Sequence, residues 1–191
     1  NCRFRGAWLG HGKFPDAIIE GGDWRGAYLE RSTWTGARVT DVSFRAATLI
    51  DARLNDATFT DCDFRHAVLS RKELELDLAT CYGTRFVRCD FTGALLDGLR
   101  LDRTVFEHCK LTDMMGKPAL DGPCQLIEPA FTRGADRDIR TEAEVLAMWR
   151  TASSAEIGFS SGYQKGTYAT QRGQTYPTKH RRDARARGPS S

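Results

Sequence analysis

Gly158–Gly162 reads GFSSG and matches the G-x-S-x-G pattern of a serine nucleophile. That chemistry needs a strand–turn–helix in an α/β sheet to hold the serine sharply exposed, and the surrounding sequence offers none. Two of the four histidines, His66 and His108, fall on one corner column of the repeat described below. Arg88 stands between them, which argues against a shared metal ion. The six cysteines form no C-x-x-C pair. Cys89 and Cys109 are twenty residues apart and read as stacked small core residues rather than a disulfide. Carboxylates such as Asp41, Asp56, Asp61 and Asp63 abound, but no desolvating pocket is in view to raise a pKa. The residues imply no catalytic set, metal site or cofactor.

One functional type does recur at a fixed spacing. FRGA at Phe4–Ala7, WRGA at Trp24–Ala27, FRAA at Phe44–Ala47 and FRHA at Phe64–Ala67 place Arg5, Arg25, Arg45 and Arg65 twenty positions apart. The chemistry available to such a series is recognition of an acidic surface or a polyanion. Trp8 and Tyr28 follow Arg5 and Arg25 by three and are expected to stack on the guanidinium groups. Asp23 and Asp63 are expected on the same wall. The alternative is a solvated, locally paired ladder.

What positions these residues is a shorter period. Large apolar residues fall at Phe4, Leu9, Phe14, Ile19, Trp24, Leu29, Trp34, Val39, Phe44, Leu49, Leu54, Phe59, Phe64 and Leu69. Two positions before each stands a smaller one, such as Ala7, Ala27, Ala47 or Ala67. A period of five fits neither a helix nor a strand. It fits a solenoid whose flat walls each end in a corner, four to a coil, with the large and small residues both inward.

ARLNDATFTDCDFRHAVL at Ala52–Leu69 shows the pattern well. It resembles the pentapeptide-repeat family, and the resemblance covers about two-thirds of the chain. It implies an all-β solenoid, the right-handed quadrilateral β-helix. It also implies a bacterial setting for one function, since well-understood members bind DNA gyrase, mimic duplex DNA and confer quinolone resistance.

The frame slips between Leu69 and Phe86, by two residues on the shortest count. Ser70–Gly83 is therefore a bulge or projecting loop, or a widened corner. On that count Phe86 and Phe106 continue the column of Phe4, Trp24, Phe44 and Phe64, and Val87 and Glu107 end the arginine stripe. Leu126 and Phe131 stay in frame, while Pro118, Pro123 and Pro129 are expected to break the ladder. The expected organisation is a β-helix over 1–131, a linker and capping helix over 132–153 and an irregular basic tail over 154–191. Thr141 and Glu144 form a capping box, and Val145, Met148 and Trp149 give the helix an apolar face. The chain enters the repeat at Cys2 without a cap, so an upstream domain or partner is expected to cover that edge. A homodimer through the helix or through that domain is the corresponding oligomer.

Charge bears on function. The whole chain has 28 Lys and Arg against 25 Asp and Glu, but Asn1–Arg140 has 20 against 21. A DNA mimic should carry a strongly acidic face. No apolar run is long enough to span a membrane, and the thiol usage suggests a cytoplasmic protein or one exported without a signal. The reading is a non-catalytic protein-binding scaffold; the alternative is a gyrase-protection protein.

Overall fold

The computed structural model describes residues 2–71, 79–130 and 141–151. Each five-residue segment makes one wall and one corner, and the corner dictates its own residue types. The corner backbone is left-handed: Asp16, Asp41, Asp51, Asp56 and Asp61 all have φ between 54° and 59°. Asp tolerates this region because its short side chain bonds locally, and Gly because it has no Cβ. At Gly36 the glycine is obligatory for a second reason. A Cβ there would run into the carboxylate of Asp16 on the coil beneath. Between Phe4 and Ala7 the Ala7 N–H donates to the Phe4 carbonyl at 2.9 Å with Gly6 at φ 64°, the signature of a type II turn.

Four segments close a coil, and about six coils stack into a parallel β-solenoid. We name the walls in chain order. Wall A carries the centres Phe4, Trp24, Phe44 and Phe64, wall B Leu9 to Leu69, wall C Phe14 to Leu54, and wall D Ile19 to Phe59. The main sheet climbs wall D through β2 (Ile18–Asp23), β3 (Arg38–Ser43), β4 (Thr58–Thr60), β7 (Arg85–Val87), β10 (Thr104–Glu107) and β12 (Cys124–Ile127). The short strand β1 (Cys2–Arg3) joins it where β2 turns onto wall A. Wall C holds β6 (Thr80–Tyr82), β9 (Arg100–Asp102) and β11 (Ala119–Leu120), and wall B holds β5 (Val68–Ser70) and β8 (Leu95–Leu96).

The pairing corrects the slip. Thr58 pairs Arg85, Asp63 pairs Asp90 and Val68 pairs Leu95, each 27 residues on rather than twenty. The chain therefore gains seven residues, one whole segment plus two. Phe86 stacks on Phe59, not on Phe64, at 5.3 Å between centroids, and Phe106 stacks on Phe86 at 5.1 Å. Phe91 continues the wall A column on Phe64 at 4.9 Å. The two stacks meet edge to face, Phe64 on Phe86 at 89° and Phe86 on Phe91 at 88°. Offset stacking along a column and edge contact between columns are the favoured aromatic arrangements.

Centres from Trp24 upward are buried, but Phe4, Leu9, Phe14 and Ile19 are only half-buried. The expectation of full burial fails for this coil because, among the described residues, only its upper side meets another coil. The ladder also does not break at the prolines. Pro118 and Pro123 stand immediately before β11 and β12, and Pro129 before the Lys110–Ala130 bridge. There, a missing N–H removes no rung of the ladder.

Inward polar groups are satisfied at some positions, although the buried Trp24 Nε1–H has no partner among the described residues. Trp34 Nε1–H donates to Ser32 Oγ at 2.8 Å, and Ser32 donates on to the Leu29 carbonyl at 2.6 Å. Gly22 holds the position equivalent to Ser32 beside Trp24; a Cβ there would lie 2.9 Å from the indole nitrogen. Cys62, Cys89 and Cys109 form an inward column, each thiol facing a carbonyl of the coil below: Val39, Phe59 and Phe86. All three are free thiols. Contact with the thiols of Cys109 and Cys62, together with burial, holds the Cys89 thiol far above its ordinary pKa.

Helix α1 (Glu142–Thr151) lies against β11 and β12. Its capping box is formed: Thr141 N–H donates to Glu144 Oε2 at 2.8 Å and Glu144 N–H to Thr141 Oγ1 at 3.3 Å. Val145, Leu146 and Trp149 are buried, and Trp149 meets the edge of Phe106 at 6.2 Å. Glu142 Oε1 accepts from the Leu126 N–H at 3.2 Å, satisfying a backbone donor of the last coil.

Two stability predictions follow from inward and outward placement. Phe44→Ala empties the fully buried wall A column and should cost about 3–5 kcal/mol in urea unfolding. Thr48→Ala, outward on wall B, should stay within about 0.5 kcal/mol. Equal losses would contradict the assignment. Trp149→Ala should expose the top coil, so hydrogen exchange should quicken in α1 and β12 while β2 and β3 keep their protection; uniform quickening would argue against a local cap.

Candidate functional site

Wall A presents two outward columns, one on each side of its buried centres. The leading column reads Arg3, Asp23, Ser43, Asp63, Asp90 and Lys110, and the trailing one Arg5, Arg25, Arg45, Arg65, Thr92 and Thr112. All four predicted arginines therefore stand on one wall, about 4.8 Å apart along the rod. Residues Thr92 and Thr112 follow them in the column, not Val87 and Glu107, which lie on wall D; this corrects the expected end of the stripe.

The leading column decides what each arginine does. Asp23 grips Arg25 with both oxygens, at 2.7 Å to Nε and 2.6 Å to Nη2. Asp63 grips Arg65 in the same way at 2.8 and 2.7 Å. These are fork-to-fork pairs set by the local pattern Asp-aromatic-Arg. The Arg25 hydrogen bonds hold the Asp23 carboxyl down at about 2. At Asp63 burial opposes ionisation, but the Arg65 bonds win and the pKa is lowered. Each arginine is correspondingly raised by its aspartate. In the other two coils Arg3 and Ser43 replace the aspartate. Arg5 and Arg45 make no ion pair among the described residues, although their fields reach Asp23 and Asp63. Above Arg65 the motif persists without its charge, as Thr92 donates both N–H and hydroxyl to Asp90.

Trp8 and Tyr28 do not stack on the arginines. They stack on each other, centroids 4.3 Å apart and 14° from parallel. The reason is the ladder: both precede their wall B centres by one and are paired in register. Their column continues as Thr48, Val68, Leu95 and Met115. This mostly apolar outward stripe was missed in reading the sequence, although the residue before each wall B centre carries the signal. It flanks the arginine column across a corner of Gly6, Gly26, Ala46, His66 and Gly93.

His66 and His108 do not share a column. His66 lies at the corner of walls A and B, its N–H on the Thr92 carbonyl, and His108 at the corner of walls D and A, its N–H on the Ile127 carbonyl. The seven-residue gain separates them. Among the described residues, no group of three His, Cys, Asp or Glu side chains is placed to hold a metal ion. Among the same residues, no helix is long and apolar enough to cross a membrane. GFSSG, Phe131 and the basic tail lie outside the described residues.

Neither does any wall carry a large acidic excess. Wall A has Asp23, Asp63 and Asp90 against five arginines and Lys110. On wall B, Glu30 and Asp97 face Lys117. Wall C has Asp102 and Asp121 against Lys13, Arg53 and Arg100, and wall D has Glu20 and Glu107 against Arg38 and Arg85. Arg100 and Tyr82 both bond Asp121, at 2.7 and 2.6 Å, which ties the fourth and sixth coils of wall C together.

Solved structures similar to this chain include pentapeptide repeat proteins. HetL, a pentapeptide repeat protein involved in heterocyst differentiation regulation in Nostoc sp., is 15% identical over 70% of this chain, with a TM-score of 0.32. The chain spans 64% of HetL's length. A pentapeptide repeat protein of the Arabidopsis thaliana thylakoid lumen is 24% identical over 63% of this chain and 70% of its own, with a TM-score of 0.28. QnrB1, a plasmid-mediated fluoroquinolone resistance protein, is 19% identical over 82% of this chain and 80% of its own, with a TM-score of 0.32. No curated protein matches by sequence. Pentapeptide repeats match in eight copies, over residues 23–61, 37–71 and 75–113. With its five-residue segments, its four-walled coils and the eight matched copies, residues 23–71 and 75–113 are pentapeptide repeats.

Proposed function

We propose that the protein is a non-catalytic binding scaffold whose wall A docks an acidic protein surface. The observation that carries this reading is the alternation in the arginine column. Arg25 and Arg65 are held by their aspartates, and Arg5 and Arg45 form no ion pair among the described residues. Guanidinium groups about 4.8 Å apart repel by about 1 kcal/mol per neighbouring pair even in water. An acidic partner relieves that repulsion, and the two braced forks give it a fixed template. A rigid rod also pays little ordering entropy on binding.

The gyrase-protection reading draws no support from the charge layout. Duplex mimicry needs a wall of negative charge, and every wall here is mixed or basic. Wall A has the opposite sign.

The test uses labelled poly-glutamate as the probe and fluorescence anisotropy as the readout. Binding should weaken as salt rises. Arg5→Glu with Arg45→Glu should weaken it by about tenfold or more, with the far-UV spectrum unchanged because both side chains point outward. Arg38→Glu with Arg53→Glu makes the same charge change on walls D and C and should matter much less. If the two double variants weaken binding equally, or neither does, wall A is not a docking surface.

A further inference from the structure

Beside the arginine column runs the outward stripe of wall B: Trp8, Tyr28, Thr48, Val68, Leu95 and Met115. Trp8 is 67% exposed and the other five are partly exposed. Wall B is otherwise poor in charge, with only Glu30, Asp97 and Lys117 among its outward positions. Arg5 and Trp8 are three residues apart, so at most about 11 Å of chain separates the two columns. In the first three coils the corner between them is nearly bare, since Gly6, Gly26 and Ala46 present at most a methyl group, while His66 occupies it in the fourth. In those three coils an arginine on wall A can therefore lean over the edge without obstruction. Charge and apolar surface lie side by side for four coils.

We infer that this edge receives an amphipathic α-helix of the partner, seated lengthwise on wall B, with its apolar stripe on Tyr28 and Val68 and an acidic flank met by Arg5 and Arg45. The inference rests on the docking reading above and adds the shape of the ligand. Dimensions select it. A helix is about 10–12 Å across, wide enough for one lying on wall B to reach the arginine column at most about 11 Å away. Its pitch is about 5.4 Å against the rod's 4.8 Å, so over four coils the two drift apart by only about 2 Å. Same-face residues of an extended strand recur every 6.7 Å or so. Over the same span they drift by about 6 Å, more than a whole coil. A helix thus keeps one acidic residue near each arginine, and a strand cannot. The rod contributes a flat apolar wall, which buries the partner's apolar stripe, and the arginine fringe fixes which way round the helix lies.

The experiment compares four probes on the full chain: a four-turn peptide with Glu on one i, i+4, i+7 stripe and Leu on the adjacent stripe; the same composition scrambled; poly-glutamate; and a single-stranded oligonucleotide. The patterned peptide should bind about tenfold tighter than its scramble and gain helical circular dichroism on binding. Val68→Glu with Leu95→Glu, both outward, should remove that advantage while leaving poly-glutamate binding almost intact. Arg5→Glu with Arg45→Glu should weaken both. If poly-glutamate binds through the arginines but the patterned peptide gains nothing over its scramble, the helix inference fails and the docking reading stands. If no acidic probe binds, both fail. If the oligonucleotide binds most tightly and Trp8→Ala releases it, the edge is a base-stacking platform and the helix inference is overturned.

Discussion

Every coil must repeat the cross-section of the coil beneath it. The backbone ladder fixes the rise at about 4.8 Å and the register residue by residue. A bulky centre can stand on a wall only if its inward neighbour is small and the centre below leaves room. Phe59 over Val39, and Cys81 over Leu54, show how each column trades volume from coil to coil within that limit. The same constraint forces the corners into left-handed backbone, where aspartate and glycine recur beside His11, Arg31, Ala46, His66, Arg88, Arg103, His108 and Glu128. The seven residues gained after Arg71 leave the ladder intact on both sides: Thr80 still finds Arg53, and Arg100 still finds Thr80.

Most of this was legible in the sequence because the period is redundant. The inward positions and the common wall of the four arginines follow from counting by five, and the capping box follows from Thr141 and Glu144 standing three apart before an apolar run. The wall assignment above the insertion does not. A slip of two and a slip of seven leave the same centres in phase, since they differ by one whole segment, yet they move each centre to a different wall. Counting centres cannot separate them. A signal that can is the repeated triplet Cys62–Asp63–Phe64 and Cys89–Asp90–Phe91, 27 residues apart. The triplet encodes a wall A entry, with an inward thiol, an outward aspartate and a stacked ring. Its repetition marks the true register. Missing it misplaced Phe86, Val87 and His108 together, one error with three consequences.

The candidate site was legible in part for a related reason. Spacing locates a residue on a wall but does not say whom it touches. Arg25 and Arg45 look alike by period; only the residue two positions before each, Asp23 or Ser43, separates a braced fork from a free one. Trp8 looked like a partner for Arg5 because it is near in sequence. In the ladder its neighbour is Tyr28, twenty residues away and one coil up. In a solenoid, contacts along the axis outrank contacts along the chain, because corners turn consecutive segments away from one another.

This separation of inside from outside bears on how such a protein carries function. Inward columns answer to volume and are nearly interchangeable among Phe, Leu, Val and Trp. Outward columns answer to nothing in the core, so a departure from random composition there needs another cause. Wall A has arginine four times in one column, and wall B has five large apolar residues among six in the column beside it. Neither arrangement is required by the core: the arginines repel one another, and beyond the Trp8–Tyr28 stack the apolar side chains gain little from their exposed parts. The two aspartates that brace Arg25 and Arg65 reduce the first cost in alternate coils and leave the second untouched. Had selection acted on solubility and stability alone, the column of Trp8, Tyr28 and Val68 would be expected to look like the polar columns of wall C. Its apolar character, adjacent to arginines that form no ion pair among the described residues, is the feature that distinguishes this edge from the rest of the rod.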